Sequence, residues 1–180
     1  MEHNLLDTVA LLSRTPGVLN ALLRDQPEIW THRNEGGDTL TPFEVVGHLI
    51  HAERTDWIPR ARIILQHGEA RAFDPFDRGG HKRDIEGKSL GQLLDEFAGL
   101  RADNLFELRA WKLQPADLEK RGQHPALGAV TLSQLLATWA GHDLTHLHQV
   151  SRTLAHQYRE AVGPWDVYLG VLRCSGHSSS

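Results

Sequence analysis

Three short stretches limit the fold more than any other feature of this chain: Thr41-Pro42-Phe43-Glu44, Ser89-Leu90-Gly91-Gln92 and Thr131-Leu132-Ser133-Gln134. In each, a hydroxyl residue is followed three positions later by Glu or Gln, the pattern in which side chains and backbone cap one another at the start of a helix. Pro42 suits the opening turn, where its missing N–H has no intrahelical partner to lose. Each stretch leads into apolar residues that recur every three or four positions. The first runs from Thr41 to about Gln66, with Gly68 as its stop. The second places Leu90, Leu93, Leu94, Phe97, Leu100, Leu105 and Leu108 on one face, and the third reaches about His156. A fourth periodic stretch, from about Asn4 to about Arg24, carries Leu5, Val9, Leu12, Leu19, Leu22 and Leu23, and Thr15-Pro16-Gly17 predicts a kink or break within it. A piece from about Trp165 to Leu172 adds a turn or two. Strand signals are nearly absent. The expected fold is all-α, a four-helix bundle, and links of roughly 20 residues on either side of the 89–108 helix leave room for long crossover connections.

Size and charge narrow the setting. The chain has 180 residues, which fits one domain over residues 1–180 whose core needs no disulfide or metal to hold it. Nineteen basic residues stand against 23 acidic ones, interspersed, so no basic footprint for nucleic acid is present. No apolar run approaches the ~20 residues that cross a bilayer, and the N-terminal Met-Glu-His-Asn lacks the positive flank of a signal peptide. The single cysteine, Cys174, makes no internal disulfide, and a reducing cytoplasm is the expected compartment. No internal repeat is visible, and the terminal serine run 178–180 is expected to fray.

Histidine is the unusual entry in the composition, at 12 of 180 residues. On a helical wheel Leu132, Leu135, Leu136, Trp139, Val150 and Leu154 define the inward arc of the last long helix, and His142 and His146 fall within or beside it. The two are one turn apart, which sets their Cβ atoms roughly 5–6 Å apart on one side. At this histidine content roughly one His-x-x-x-His pair is expected by chance, so the inward placement carries the weight, not the spacing. Buried imidazoles need polar partners. A divalent metal satisfies both; Asp143, Glu53 or water are the alternatives. A catalytic site needs a third protein ligand, and the 41–66 helix offers His48 and His51. His48 lies roughly 40–60° beyond the edge of the apolar arc, near Ala52, and His51 roughly another 60° further towards solvent, so the wheel favours His48.

Asp143 shares the core arc but is turned ~100° from His142, so it is expected beside the site rather than on the metal, accepting a histidine or backbone N–H. Glu53 and Asp56 are candidates for the same task, with surface ion pairs to Arg54, Arg60 or Arg62 as the plainer reading. His148 points away from the arc. The segment 74–81, with Asp77 and His81, reads as a loop that covers a site or is only a loop, and His124-Pro125 reads as part of the turn at Leu127-Gly128. Nucleophile elbows, phosphate loops and Cys-x-x-Cys pairs are absent, and no catalytic residue beyond the metal is assigned. Imidazole ligands suit zinc or nickel. Three such ligands leave a position at which a carbonyl is polarised, or a bound water or thiol acidified. The expected chemistry is therefore nucleophilic transfer or hydrolysis on a small-molecule substrate, with a non-catalytic metal-binding stress or interaction protein as the alternative.

The helix-two sequence Thr41-Pro42-Phe43-Glu44-Val45-Val46-Gly47-His48-Leu49-Ile50-His51-Ala52-Glu53, together with Gly122–Leu132 and Trp139-Ala140-Gly141-His142-Asp143-Leu144-Thr145-His146, resembles the DinB-like superfamily of damage-inducible, metal-binding four-helix proteins. Residues 89–108 fit that family's third helix. The resemblance implies a bundle with long crossover links and a three-histidine metal site, His48 matching the helix-two ligand and His142 and His146 the helix-four pair. It also implies a homodimer, and transferase-like use of low-molecular-weight thiols such as bacillithiol or mycothiol, activated by the metal.

Overall fold

The computed structural model describes residues 3–174; the serine run 178–180 lies outside the described residues. All three capping boxes form, with Thr41 and Glu44, Ser89 and Gln92, and Thr131 and Gln134 each bonded to the other's backbone. Proline divides the first two arms. The 4–24 stretch becomes α1 (Leu5–Leu12), capped by the Asn4 side chain, and α2 (Thr15–Leu23), whose first turn takes Pro16. A single turn, α3 (Glu28–Thr31), follows. The 41–66 stretch is not one helix. It divides at Asp56 into α4 (Pro42–Thr55) and α5 (Trp57–His67). Pro59 is the reason: it can donate no bond to the Thr55 carbonyl and its ring crowds that oxygen. Gly68, at φ 57°, ends α5 as expected.

Part of the segment expected as loop folds into a short helix, α6 (Gly80–Ile85). It lies against α4, and its contact needs glycine at both ends, since a Cβ on Gly47 would meet Ile85 Cγ2 at 2.2 Å and one on Gly80 would meet the His51 ring at 2.1 Å. The long α7 (Leu90–Ala110) and the short α8 (Pro115–Leu118) lead to a hairpin that the sequence did not announce. Its strands β1 (Arg121–His124) and β2 (Gly128–Thr131) pair antiparallel, Arg121 opposite Thr131 and His124 opposite Gly128. Arg-Gly-Gln-His has no alternation of apolar residues to reveal a strand. The hairpin feeds directly into α9 (Leu132–His156), after which two 3-10 turns, Gly163–Tyr168 and Gly170–Leu172, form the expected C-terminal piece.

The arms pack as a ring. The α1–α2 arm touches α7 and α9, and the α4–α5 arm touches the same two helices. Arms one and two thus sit diagonally, as do α7 and α9, so two of the three links cross the bundle. This is a four-helix bundle with crossover connections. Its apolar core has two parts, one built on Trp57, Ile58, Leu105, Leu136 and Trp139, the other on Leu19, Val46, Ile50, Phe97 and Val150. Arg101 stands between them, stacked 5.0 Å from the Phe97 ring centre and 5.1 Å from that of Trp139. No helix among the described residues is long and apolar enough to cross a membrane.

Candidate metal centre

Helix α9 presents His142 and His146 one turn apart, and α4 packs across them with His48. Their Nε2 atoms converge: His142 Nε2 lies 3.1 Å from that of His48 and 3.1 Å from that of His146. One ligand atom from each of the three fits within 4.8 Å of the others. His51 is turned away. Its Nδ1 pairs with Asp84 Oδ2 at 2.8 Å and its ring packs under α6 against Gly80. The expectation that chose His48 over His51 and the geometry of the helix therefore place the same residue at the cluster.

Hydrogen bonding shows what the three imidazoles lack. His146 Nδ1 meets Gln149 Oε1 at 2.8 Å, which makes Nδ1 the donor and leaves a lone pair on Nε2. A proton on His142 Nε2 can point along only one of its two 3.1 Å contacts, so protons alone leave this cluster unsatisfied. Two nitrogens bound to one ion at about 2.1 Å lie about 3.4 Å apart at the tetrahedral angle and about 3.0 Å apart at a right angle, which brackets the 3.1 Å found here. The residues present thus fit a divalent cation. Burial holds them in the neutral state that ligation needs. It pushes His48 down to about 3, with His146, His81 and His51 adding to the effect. It pushes His142 down to about 2, with further contributions from His146, His48 and Arg101. His146 is also lowered by burial, against the opposing pull of Gln149 and Asp143.

The two carboxylates expected beside the histidines face elsewhere. Asp143 is buried at 2% exposure but accepts from Arg101 Nη1 at 2.6 Å, from Arg101 Nη2 at 2.9 Å and from the Thr15 hydroxyl. Glu53, equally buried, accepts from Arg101 Nη2 at 2.7 Å, Trp139 Nε1 at 2.9 Å and Asn104 Nδ2 at 2.9 Å. Neither bonds an imidazole among the described residues, and His142 Nδ1, also buried, has no protein partner there. The reason lies in α7: a buried guanidinium carries five donors and a charge, and it outcompetes a neutral ring N–H for any carboxylate within reach. Burial works against the charge on Arg101, but Asp143 and Glu53 push its pKa up. Arg101 could have been found, since it interrupts the apolar stripe at the step between Phe97 and Leu105. Gln149 was legible too, three residues beyond His146 on the same face.

The cluster forms part of the wall of a cavity of about 720 Å³. Phe76, from the 74–81 segment, comes within 5.4 Å of His48 by ring centres, and Trp57 within 5.1 Å of His142. That segment, read from sequence as a cover or a mere loop, lines the pocket with Pro75, Phe76, Arg78 and His81. His124 at the hairpin turn lines it as well, as do Asp56 and Arg60. Asp56 spends its carboxylate on Arg60, at 2.8 Å, rather than on an imidazole. His148 lies on the outer side of α9, 3.1 Å from Cys174 Sγ and apart from the pocket.

A family model described as the DinB superfamily matches residues 11–150. Among solved structures, the chain is similar to YfiT from Bacillus subtilis, described as a probable metal-dependent hydrolase with an unusual four-helix bundle topology. The two are 19% identical over 87% of each chain, with a TM-score of 0.70. That likeness is one of fold. No curated protein matches the sequence.

Proposed function

The chain belongs to the DinB superfamily, and from that premise we propose that it is a metal-dependent enzyme of the hydrolase or transferase type, with His48, His142 and His146 as ligands of one divalent ion. The observation that carries this reading is the convergence of three Nε2 atoms on the wall of a 720 Å³ cavity. A site closed on all sides would suit a structural or storage ion, whereas an open cavity suits a substrate. The description of YfiT as a probable metal-dependent hydrolase points the same way. Zinc or nickel fits the all-imidazole donor set.

When bound, the ion supplies a Lewis acid that acidifies a nucleophile, water or a low-molecular-weight thiol of the bacillithiol or mycothiol kind. The chain's own residues do the rest. Gln149 holds the His146 ring in the tautomer that aims a lone pair inward. Trp57 and Phe76 pack against His142 and His48 and keep water from their ring faces. Glu53 and Asp143 act at one remove, through Arg101, by tying α4 and α9 to α7 so that the three imidazoles stay in register. The same reading takes the protein as a single-domain, cytoplasmic homodimer acting on a small molecule.

Metal analysis of protein purified without a histidine tag tests the assignment. The expected result is about one divalent ion per chain, lost in the His142→Ala/His146→Ala variant. Unchanged metal content in that variant would overturn it. A screen of metal-loaded protein against thiol-acceptor electrophiles and hydrolase substrates then separates transfer from hydrolysis.

A further inference from the structure

Away from the histidines, the same cavity ends in a second polar group. Asp56 and Arg60, one turn apart at the α4–α5 break, are 8% and 9% exposed and form a pair at 2.8 Å between Asp56 Oδ1 and Arg60 Nη2. Arg60 is held on two further sides, by the Asp74 carbonyl at 3.4 Å and by the Phe73 ring, 5.5 Å below the guanidinium. Beside it stands His124, whose Nδ1 accepts from the backbone N–H of Ala126 and of Leu127, both at 3.1 Å. An imidazole whose Nδ1 is an acceptor carries its proton on Nε2, so His124 offers a fixed donor. Burial, and then Arg60, lower its pKa and keep it neutral.

This end of the pocket has capacity to spare. Among the described residues, Asp56 Oδ2, Arg60 Nε and Nη1, and His124 Nε2 have no protein partner, yet all three residues line the cavity. A carboxylate bound here would take the free donors but set a second anion beside Asp56. An amine would take the free acceptor but set a second cation beside Arg60. A headgroup carrying both charges on neighbouring atoms satisfies each side and leaves the pair neutral overall. We propose that Asp56, Arg60 and His124 form a subsite for the ammonium and carboxylate of an α-amino acid headgroup, so that the substrate is an amino-acid derivative. The ammonium meets Asp56; the carboxylate meets Arg60 and His124. Asp56 follows His48 by eight residues, about 12 Å along the helix. The rest of the molecule spans that distance along the apolar wall of Pro75, Phe76 and Pro125, and brings its reacting group to the three histidines. This last step rests on the metal-site reading; the headgroup subsite does not.

Binding without turnover tests it. Phenylalanine, 3-phenylpropanoate and phenethylamine share one apolar body and differ only in the headgroup. They are titrated calorimetrically into protein stripped of metal by a chelator, because an amino acid can also chelate an exposed ion. Phenylalanine is expected to bind at least about 10-fold more tightly than either analogue, as fits paired charge-assisted hydrogen bonds. The Asp56→Asn variant should lose the preference over 3-phenylpropanoate, and Arg60→Gln the preference over phenethylamine, while His148→Ala, on the outer side of α9, keeps both. The ligand series on wild-type protein needs no variant to fold. Equal binding of the three, no binding of phenylalanine, or binding only after metal is restored would each overturn the subsite. None of those results touches the metal stoichiometry, which metal analysis settles separately.

Discussion

Helices α4 and α9 carry two polar clusters side by side, one buried and one half-buried, and the two have opposite hydrogen-bond inventories. In one, Arg101 reaches Glu53, Asp143 and the Leu12 carbonyl, while Trp139, Asn104 and Thr15 complete the carboxylates. In the other, His48, His142 and His146 turn their Nε2 atoms on one another, and His142 Nδ1 has no protein partner among the described residues. Sequence neighbours fall on either side of the divide: Asp143 belongs to the first cluster and His142 to the second. A polar group satisfied within the chain holds the fold; one left unsatisfied by the chain is matched to something outside it.

Breaking the satisfied cluster should have the largest effect. Arg101→Met leaves Glu53 and Asp143 as buried charges without their cation, and removing one member of such a network costs about 3–5 kcal/mol. Denaturant titration of metal-free protein checks this, and a loss below about 1 kcal/mol would place the stability elsewhere. The unsatisfied cluster should respond to its ligand instead. Zinc or nickel at a free concentration 100 times the dissociation constant should stabilise wild type by about 2.7 kcal/mol and the His142→Ala/His146→Ala variant not at all. A thermal-shift titration with each metal reads the difference.

How much of each cluster could be read in advance follows the same divide. The capping boxes and the His142/His146 pair are local patterns, fixed by neighbours three or four residues away, and the sequence shows them directly. His48 needed only the phase of one more helix. Pairings across 30 residues or more have no such signature. Asp84 taking His51, and Arg101 taking Glu53 and Asp143, depend on which helices lie side by side, and so the sequence leaves these carboxylates open between an imidazole, a backbone donor and a nearby arginine. Two further signals are local: Arg101 within the α7 stripe, and Pro59 within the second arm. Of the hairpin only the turn from His124 to Gly128 was legible; its strands left no signal, because Gly122 is there for close packing, its absent side chain making room for Ile64 and Phe73.

A smaller effect sharpens the comparison at its boundary. Among the described residues, Gln149 is the one side chain outside the three histidines that hydrogen-bonds an imidazole of the cluster, through His146 Nδ1. Gln149→Leu should keep the fold, since the position is on the core face, but free the ring to adopt the other tautomer. Loss of a partner that orients a ligand histidine typically costs 10–100-fold in metal affinity. Competition against a chelating dye should find about a 10-fold loss, and an unchanged constant would remove Gln149 from the site.

The smallest predicted effect concerns acid. His48 has its pKa lowered to about 3 by burial first, then by His146, His81 and His51. In the unfolded chain it titrates near 6.5. Below that value the unfolded state gains a proton that the folded state does not, so stability present above pH 6.5 is lost as pH falls, and the loss levels off only near the folded value. Asp56 works in the opposite sense. Burial raises its pKa to about 6, against the pull of Arg60 and His51, so the folded state takes up a proton before the unfolded state does and gains stability as pH falls below 6. The two contributions overlap in any single titration. Comparing metal-free wild type with His48→Asn separates them, because Asp56 is common to both. Between pH 7 and pH 6 the wild type should lose somewhat under 1 kcal/mol more than the variant, the full linkage value being reduced by the partial exposure of the ring. Parallel pH dependence of the two proteins would mean that His48 is protonated as readily in the fold as outside it, and that the cluster is open to water rather than held ready for a cation.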